Sequence, residues 1–153
     1  MSARIDFFYF YGSIHTYLSV MRIEALASPT RIPIRWRPFN LRKILMEQNN
    51  TSFAKNQVRL NYNWRDTFKA WFLERKTSGL PDNVEAVLEG LGRPSREIIE
   101  RAATPEIDAW LEGETDAARQ LGIFGSPTFA VGAELFWGDD RLEDAIAYAR
   151  SPA

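Results

Sequence analysis

A serine, an imidazole and a carboxylate stand close to the two points in this chain where a chemically useful helix is expected to begin. Ser13 follows the aromatic run Phe7-Phe-Tyr-Phe-Tyr11 and Gly12, and it opens a helical pattern. His15, the single histidine, lies two residues on. Asp140 opens the last helical pattern, with Glu143 three residues later. A helix N-terminus carries unpaired N–H groups and positive partial charge, so a hydroxyl placed there can donate to an anion and favour it. An imidazole nearby titrates close to neutrality and can handle a proton. A carboxylate suits an ammonium group. Each residue also has a purely structural reading. Ser13 and Asp140 are good helix caps, and Asp140 with Glu143 fits a capping box. His15 fits equally well as part of a pocket wall.

Several chemistries are excluded by what the chain lacks. None of its 153 residues is cysteine, which removes disulfides, thiolate metal sites, cysteine nucleophiles and dithiol redox chemistry. One histidine rules out a multi-histidine metal site, so no metal is expected. Nineteen basic residues nearly balance twenty acidic ones, which argues against nucleic acid or an anionic membrane as partner. No apolar run follows a basic start, and none approaches the length of a membrane span, so a soluble cytoplasmic protein is expected. Hydrophobic residues at 45% and charged residues at 25% are globular proportions for one domain. Aromatics at 13% imply a generous core or an apolar pocket.

The elements that must position these residues follow from periodicity. Ile5 to Tyr11 reads as a buried strand. Ile14, Tyr17, Leu18, Met21 and Ala25 are spaced as one face of a helix that ends near Ser28-Pro29. Ile32 to Phe39 alternates and reads as a second strand, so a right-handed βαβ unit with a parallel pair is expected. The middle is helical, with Trp64, Phe68, Trp71 and Phe72 on one face and Val84, Val87, Leu88 and Leu91 on another. Thr104-Pro105 starts a helix that Gly122 ends. Phe129-Ala-Val131 and Glu134 to Trp137 form a hairpin around Gly132-Ala133, and a final amphipathic helix follows. The order βαβ, helices, ββα predicts an α/β thioredoxin-like domain made of residues 1–40 and 122–153. A shortened all-helical domain, residues 41–121, is inserted between its halves.

Two segments carry a family likeness. Phe8-Tyr-Phe-Tyr-Gly-Ser-Ile-His-Thr-Tyr-Leu18 resembles the start of the 2-hydroxychromene-2-carboxylate isomerases and the similar kappa-class glutathione transferases. Gly122-Ile-Phe-Gly-Ser-Pro-Thr-Phe-Ala-Val131, continuing through Glu134-Leu-Phe-Trp-Gly-Asp-Asp-Arg-Leu142, resembles their closing segment and is the more specific of the two. The resemblance implies glutathione as cofactor, a small aromatic substrate and a homodimer. It also implies interconversion of 2-hydroxychromene-2-carboxylate and trans-o-hydroxybenzylidenepyruvate by reversible thiolate addition.

By that resemblance Ser13 is the catalytic residue, its hydroxyl donating to the glutathione sulfur and favouring the thiolate. A free thiol near pKa 8.5 is otherwise mostly protonated at neutral pH, and one unit of pKa corresponds to only about 1.4 kcal/mol. Pro127 matches the family's cis-proline, which would let Ser126 pair with the glutathione main chain. The other reading of Pro127 is an ordinary trans proline opening a strand. Asp140, with Arg141 beside it, would bind the γ-glutamyl ammonium group. Arg59, Tyr62 and Asp66 keep a family spacing, and Asn50 lies nine residues before Arg59. Asn50 and Arg59 are thus implied glutathione ligands, with Lys55 as the fallback for Arg59; solvated helix surface is the alternative for each. Arginine in place of the usual lysine would bind a carboxylate through its planar fork. His15 and Trp64 are assigned to the substrate pocket, with Trp71 and Trp137 as further walls, although a helical aromatic stripe is more often core.

The chain departs from the pattern in places. Ile14 replaces a proline and His15 an aromatic. The middle is short for the family, and the join near Leu80-Pro81-Asp82 is abrupt, as though a few tens of residues were absent. Two other readings stay open: a kappa-like glutathione transferase, and a non-catalytic thioredoxin-fold binding module that has lost its cysteines.

Overall fold

The structure is a computed structural model in which residues 4–48, 73–74 and 80–150 are described. Strand β1 (Ile5–Tyr9) leads into helix α1 (Ile14–Ala27), and a short 3-10 turn at Ser28–Thr30 returns the chain to strand β2 (Ile34–Pro38). Helix α2 (Leu41–Glu47) follows, then α3 (Pro81–Gly90), α4 (Ser95–Ala102) and α5 (Pro105–Gln120). Strands β3 (Thr128–Val131) and β4 (Glu134–Trp137) precede a 3-10 turn, Asp139–Arg141, and helix α6 (Leu142–Arg150). The strands form one sheet in the order β2-β1-β3-β4. β1 and β2 run parallel, whereas β1–β3 and β3–β4 are antiparallel. This is the α/β thioredoxin-like arrangement.

Alternation along β1 divides the interior in two. Ile5 and Phe7 face α1 and α6, where they meet Val20, Ile23, Leu142, Ala145 and Ile146. Phe8 faces the other way, toward Phe39, Leu41, Ile44 and Ala118. Phe7 is fully buried and stacks on Phe129, with ring centroids 5.0 Å apart. Burying an aromatic ring of this size stabilises by roughly 1.5–3 kcal/mol over leaving it exposed. β1 ends at Tyr9 rather than Tyr11 and β2 spans Ile34–Pro38 rather than Ile32 to Phe39, while both ends of α5 follow the sequence signals. Thr104 Oγ1 accepts from Ile107 N–H at the start of α5. Gly122, with φ 76°, ends it, and Ile123 N–H reaches back to Ala118 O.

Helix α1 corrects the sequence reading. The residues at Ile14, Leu18 and Met21 are not the buried face; they are 62%, 47% and 45% exposed, and Ala25 is exposed with them. The buried face is Thr16, Ser19, Val20, Ile23 and Ala27. Both stripes have helical spacing, so periodicity alone does not choose between them. Packing chooses: the sheet already presents the rings of Phe7, Phe129 and Trp36, and smaller side chains let the helix sit close to them. The two buried hydroxyls find partners, which removes most of the cost of burying them.

The expected capping box is a second correction. α6 starts at Leu142, after the 3-10 turn, and no side chain caps that turn. Glu143 accepts instead from Arg22 of α1.

Candidate functional site

Ser13 caps α1, as its extended backbone (φ −97°, ψ 124°) and hydroxyl favour. Its Oγ accepts from Thr16 N–H at 3.3 Å and donates to the Ser126 carbonyl oxygen at 2.9 Å. Residues at opposite ends of the sequence are thereby joined by one hydroxyl. The Ser126–Pro127 peptide bond is cis. Ser126 Oγ accepts from Phe10 N–H at 2.6 Å and shares a hydrogen bond with Thr16 Oγ1 at 2.7 Å. Thr16 is fully buried. The end of β1, the first turn of α1 and the loop before β3 are thus tied by three hydroxyls. The first-turn N–H groups of Ile14 and His15 have no partner within the helix, as for any helix start.

The turn after β4 is brought to the same place. Gly138 N–H donates to the Pro127 carbonyl at 3.0 Å. Gly138 has φ 111°, which favours glycine, and a Cβ there would run into the Asp140 carboxylate. The two aspartates of the turn then diverge. Asp139 points inward: its Oδ1 accepts from Ser19 Oγ at 2.7 Å and from Arg22 Nε at 3.3 Å. Burial works against the Arg22 charge, but Glu143 and Asp139 outweigh it and hold the guanidinium above its ordinary pKa. Asp140 is exposed, and its carboxylate makes no hydrogen bond among the described residues. Arg141 is also exposed and pairs with Asp144 at 3.0 Å.

The sequence singled out Ser13, Ser126, Pro127, Asp140 and Arg141, and the structure gathers them at one end of the sheet. His15 is exposed on the first turn of α1. Asn50, Lys55, Arg59, Tyr62, Trp64, Asp66 and Trp71 lie outside the described residues. Trp137 lies against Gly125, where any Cβ would strike the indole, and it pairs with Phe124 at a centroid distance of 4.8 Å. Both rings are about half exposed, beside the Ser126–Pro127 loop. Two participants were missed: Thr16 and Phe10. Thr16 had a usable signal. It follows Ser13 by three residues, the spacing of the two thiols in a C-x-x-C redox motif, so both positions of such a pair are hydroxyls here.

With no cysteine in the chain, this arrangement cannot perform dithiol–disulfide exchange with thiols of its own. What it offers an anion is the first-turn N–H groups of Ile14 and His15, while the Ser13 hydroxyl beside them donates to Ser126 O. Tyr9 offers no base, since burial and then the charge of Glu114 raise its phenol pKa.

Comparison with known proteins agrees with this fold. The sequence model of the DSBA-like thioredoxin domain matches residues 52–148. A 2-hydroxychromene-2-carboxylate isomerase from Sphingobium xenophagum is 25% identical, over 97% of this chain and 98% of its own. Their alignment spans 192 positions against the 153 residues here, so that relative carries residues with no counterpart in this chain. Among solved structures, a 2-hydroxychromene-2-carboxylate isomerase superposes with a TM-score of 0.75 at 19% identity, covering 94% of both chains. A probable DsbA oxidoreductase from Streptomyces coelicolor gives 0.70 at 15% identity, over 99% of this chain and 92% of its own. At such identities the likeness to these structures is one of fold.

Proposed function

The chain belongs to the DsbA-like thioredoxin domain family, and from that premise we propose that it is a glutathione-dependent isomerase of conjugated aromatic acids, 2-hydroxychromene-2-carboxylate or a close analogue. Likeness to the Sphingobium xenophagum isomerase over nearly the whole chain supports an isomerase of this family. One observation carries the finer reading: a hydroxyl, Ser13 Oγ, stands at the head of a 14-residue helix and against the Ser126 carbonyl, in a chain with no thiol of its own.

The described residues fit glutathione by their donor and acceptor set. The Ser126 carbonyl is an acceptor for a ligand main-chain N–H, and Asp140 offers an exposed carboxylate to the γ-glutamyl ammonium. Arg141 stands beside it, and Asn50 and Arg59 belong to the same proposal. Bound glutathione supplies a thiolate that adds reversibly to the conjugated chain and lets a double bond turn. Ser13 holds negative charge at the sulfur position, helped by the α1 N-terminus. Its proton is now spent on Ser126 O. Pairing of that carbonyl with a ligand N–H would release the proton toward the sulfur, so binding and activation are linked through one hydroxyl. Trp137 and Phe124 offer an aromatic wall beside the loop. His15 stands exposed one turn-position from Ser13, where it can shape the pocket mouth.

Calorimetric titration with glutathione, followed by ultraviolet difference titration for thiolate, tests this directly. Binding with a thiolate signal at neutral pH is expected. No binding at millimolar glutathione overturns it and leaves a fold without its cofactor.

The two aspartates give a paired test. Asp140→Ala should weaken glutathione binding by about tenfold, the scale of one charge-assisted hydrogen bond, with the melting temperature unchanged. Asp139→Ala should do the reverse. It leaves the buried Ser19 hydroxyl only its long 3.5 Å contact to the His15 carbonyl and strands part of Arg22, costing about 2 kcal/mol of stability, with glutathione affinity retained. Calorimetry and thermal melts on both variants separate the roles. An equal stability loss in both would restore the capping reading of Asp140.

A further inference from the structure

Arg42 differs from several other arginines of the chain. Arg22, Arg35 and Arg37 are each held by carboxylates. Arg42 pairs with no carboxylate among the described residues, although its Nε is buried and has no hydrogen-bond partner. Water does not reach Nε, whereas the residue as a whole is only partly buried, so the Nη edge is what remains for an anionic partner.

Its place is set by the site itself. The Arg42 guanidinium lies 5.5 Å from the centre of the Phe10 ring. Cation–π contact holds such a planar group in one orientation and leaves its edge for a bidentate ligand. Phe10 in turn is fixed at both ends. Its N–H donates to Ser126 Oγ, and its carbonyl accepts from Ser13 N–H at 3.1 Å. Gly12 makes room for the ring, since a Cβ there would lie 2.9 Å from Phe10 Cε1. The same Cβ position is only 3.8 Å from Arg42 Nη2. The guanidinium therefore borders the residue immediately before Ser13. Phe10 shares its sheet face with Phe8, Thr128 and Trp137, by strand alternation and register. One end of the site is thus a cation with no carboxylate partner among the described residues, and the same face carries an exposed aromatic ring.

We infer that Arg42 is the carboxylate receptor of this site, selecting aromatic acids over their neutral analogues. This rests on the function proposed above, and it names the substrate group that Ser13's chemistry requires to be held still. The carboxylate sits in the guanidinium fork while the conjugated chain extends past Ser13.

The test is binding of trans-2-hydroxycinnamate and of its carboxamide, read by tryptophan fluorescence without glutathione. Wild-type protein should bind the acid about 10- to 100-fold more tightly than the amide, as one charge-assisted bidentate contact implies. Arg42→Gln should reduce that ratio to near one, and Arg42→Lys should keep part of it. The ratio is taken within each variant, so a partly folded preparation does not move it. Equal binding of acid and amide by wild-type protein overturns the inference. So does an Arg42→Gln variant that keeps the preference, or one that loses glutathione affinity while keeping it. Failure of glutathione to bind at all, with the acid preference present and Arg42-dependent, would overturn the thiol reading and uphold this one.

Discussion

Replacing Ser13 by alanine is expected to lower glutathione-dependent isomerisation by about 100-fold, the usual effect of removing one donor to developing negative charge, with little change in glutathione affinity. Affinity is assigned to main-chain pairing at Ser126 and to Asp140; the substitution removes the hydroxyl that donates to the Ser126 carbonyl but leaves that carbonyl in place for a ligand N–H. The hydroxyl acts on the charge of the sulfur alone. A 100-fold loss corresponds to about two units in the acidity of the bound thiol, so the ultraviolet thiolate titration should move up by that amount. The substitution also removes a helix cap, because Ser13 Oγ accepts from Thr16 N–H. That costs about 1 kcal/mol and lowers the melting temperature by roughly 2–4 °C for a domain of this size. The two effects separate cleanly. Unchanged turnover with the melting shift alone would make Ser13 a cap and nothing more.

Much of this site was legible because its parts are local. Ser13 is marked by a strand, a glycine and a helical pattern in immediate succession, and Gly122 and Thr104 announce their helix ends by residue type. The mixed sheet followed from the order of elements. What stayed hidden depended on contacts between distant segments. The buried face of α1 was misjudged because Thr16 and Ser19 look polar in isolation. Their hydroxyls become inexpensive to bury only once Ser126 and Asp139 arrive from the far end of the chain. Asp139 and Asp140 are the same residue type in adjacent positions, and no pattern tells which turns inward; Ser19 and Arg22 decide it. Arg42 carries no signal in the sequence beyond its charge. Its meaning comes from Phe10 and Gly12, thirty residues away.

The structural consequence of that long-range assembly is the second large effect. Ser126→Ala should destabilise the fold by about 2–4 kcal/mol, because it strands two groups at once. Thr16 Oγ1 is fully buried and loses its partner, and Phe10 N–H loses its acceptor at the end of β1. Thr16→Val alone should cost about 1 kcal/mol, since Ser126 Oγ keeps the Phe10 contact. The double variant is the decisive one. With valine at position 16 no hydroxyl is left unpaired by the loss of Ser126 Oγ, so the combined cost should fall short of the sum by about 1 kcal/mol or more. Chemical denaturation of the four proteins measures this coupling. Strict additivity would mean that the two hydroxyls do not act as a pair. Coupling would show why buried polar groups occupy a position that apolar side chains could fill. They fasten the Ser126–Pro127 loop to the first turn of α1, and so fix the carbonyl that Ser13 must release before its proton can serve a sulfur.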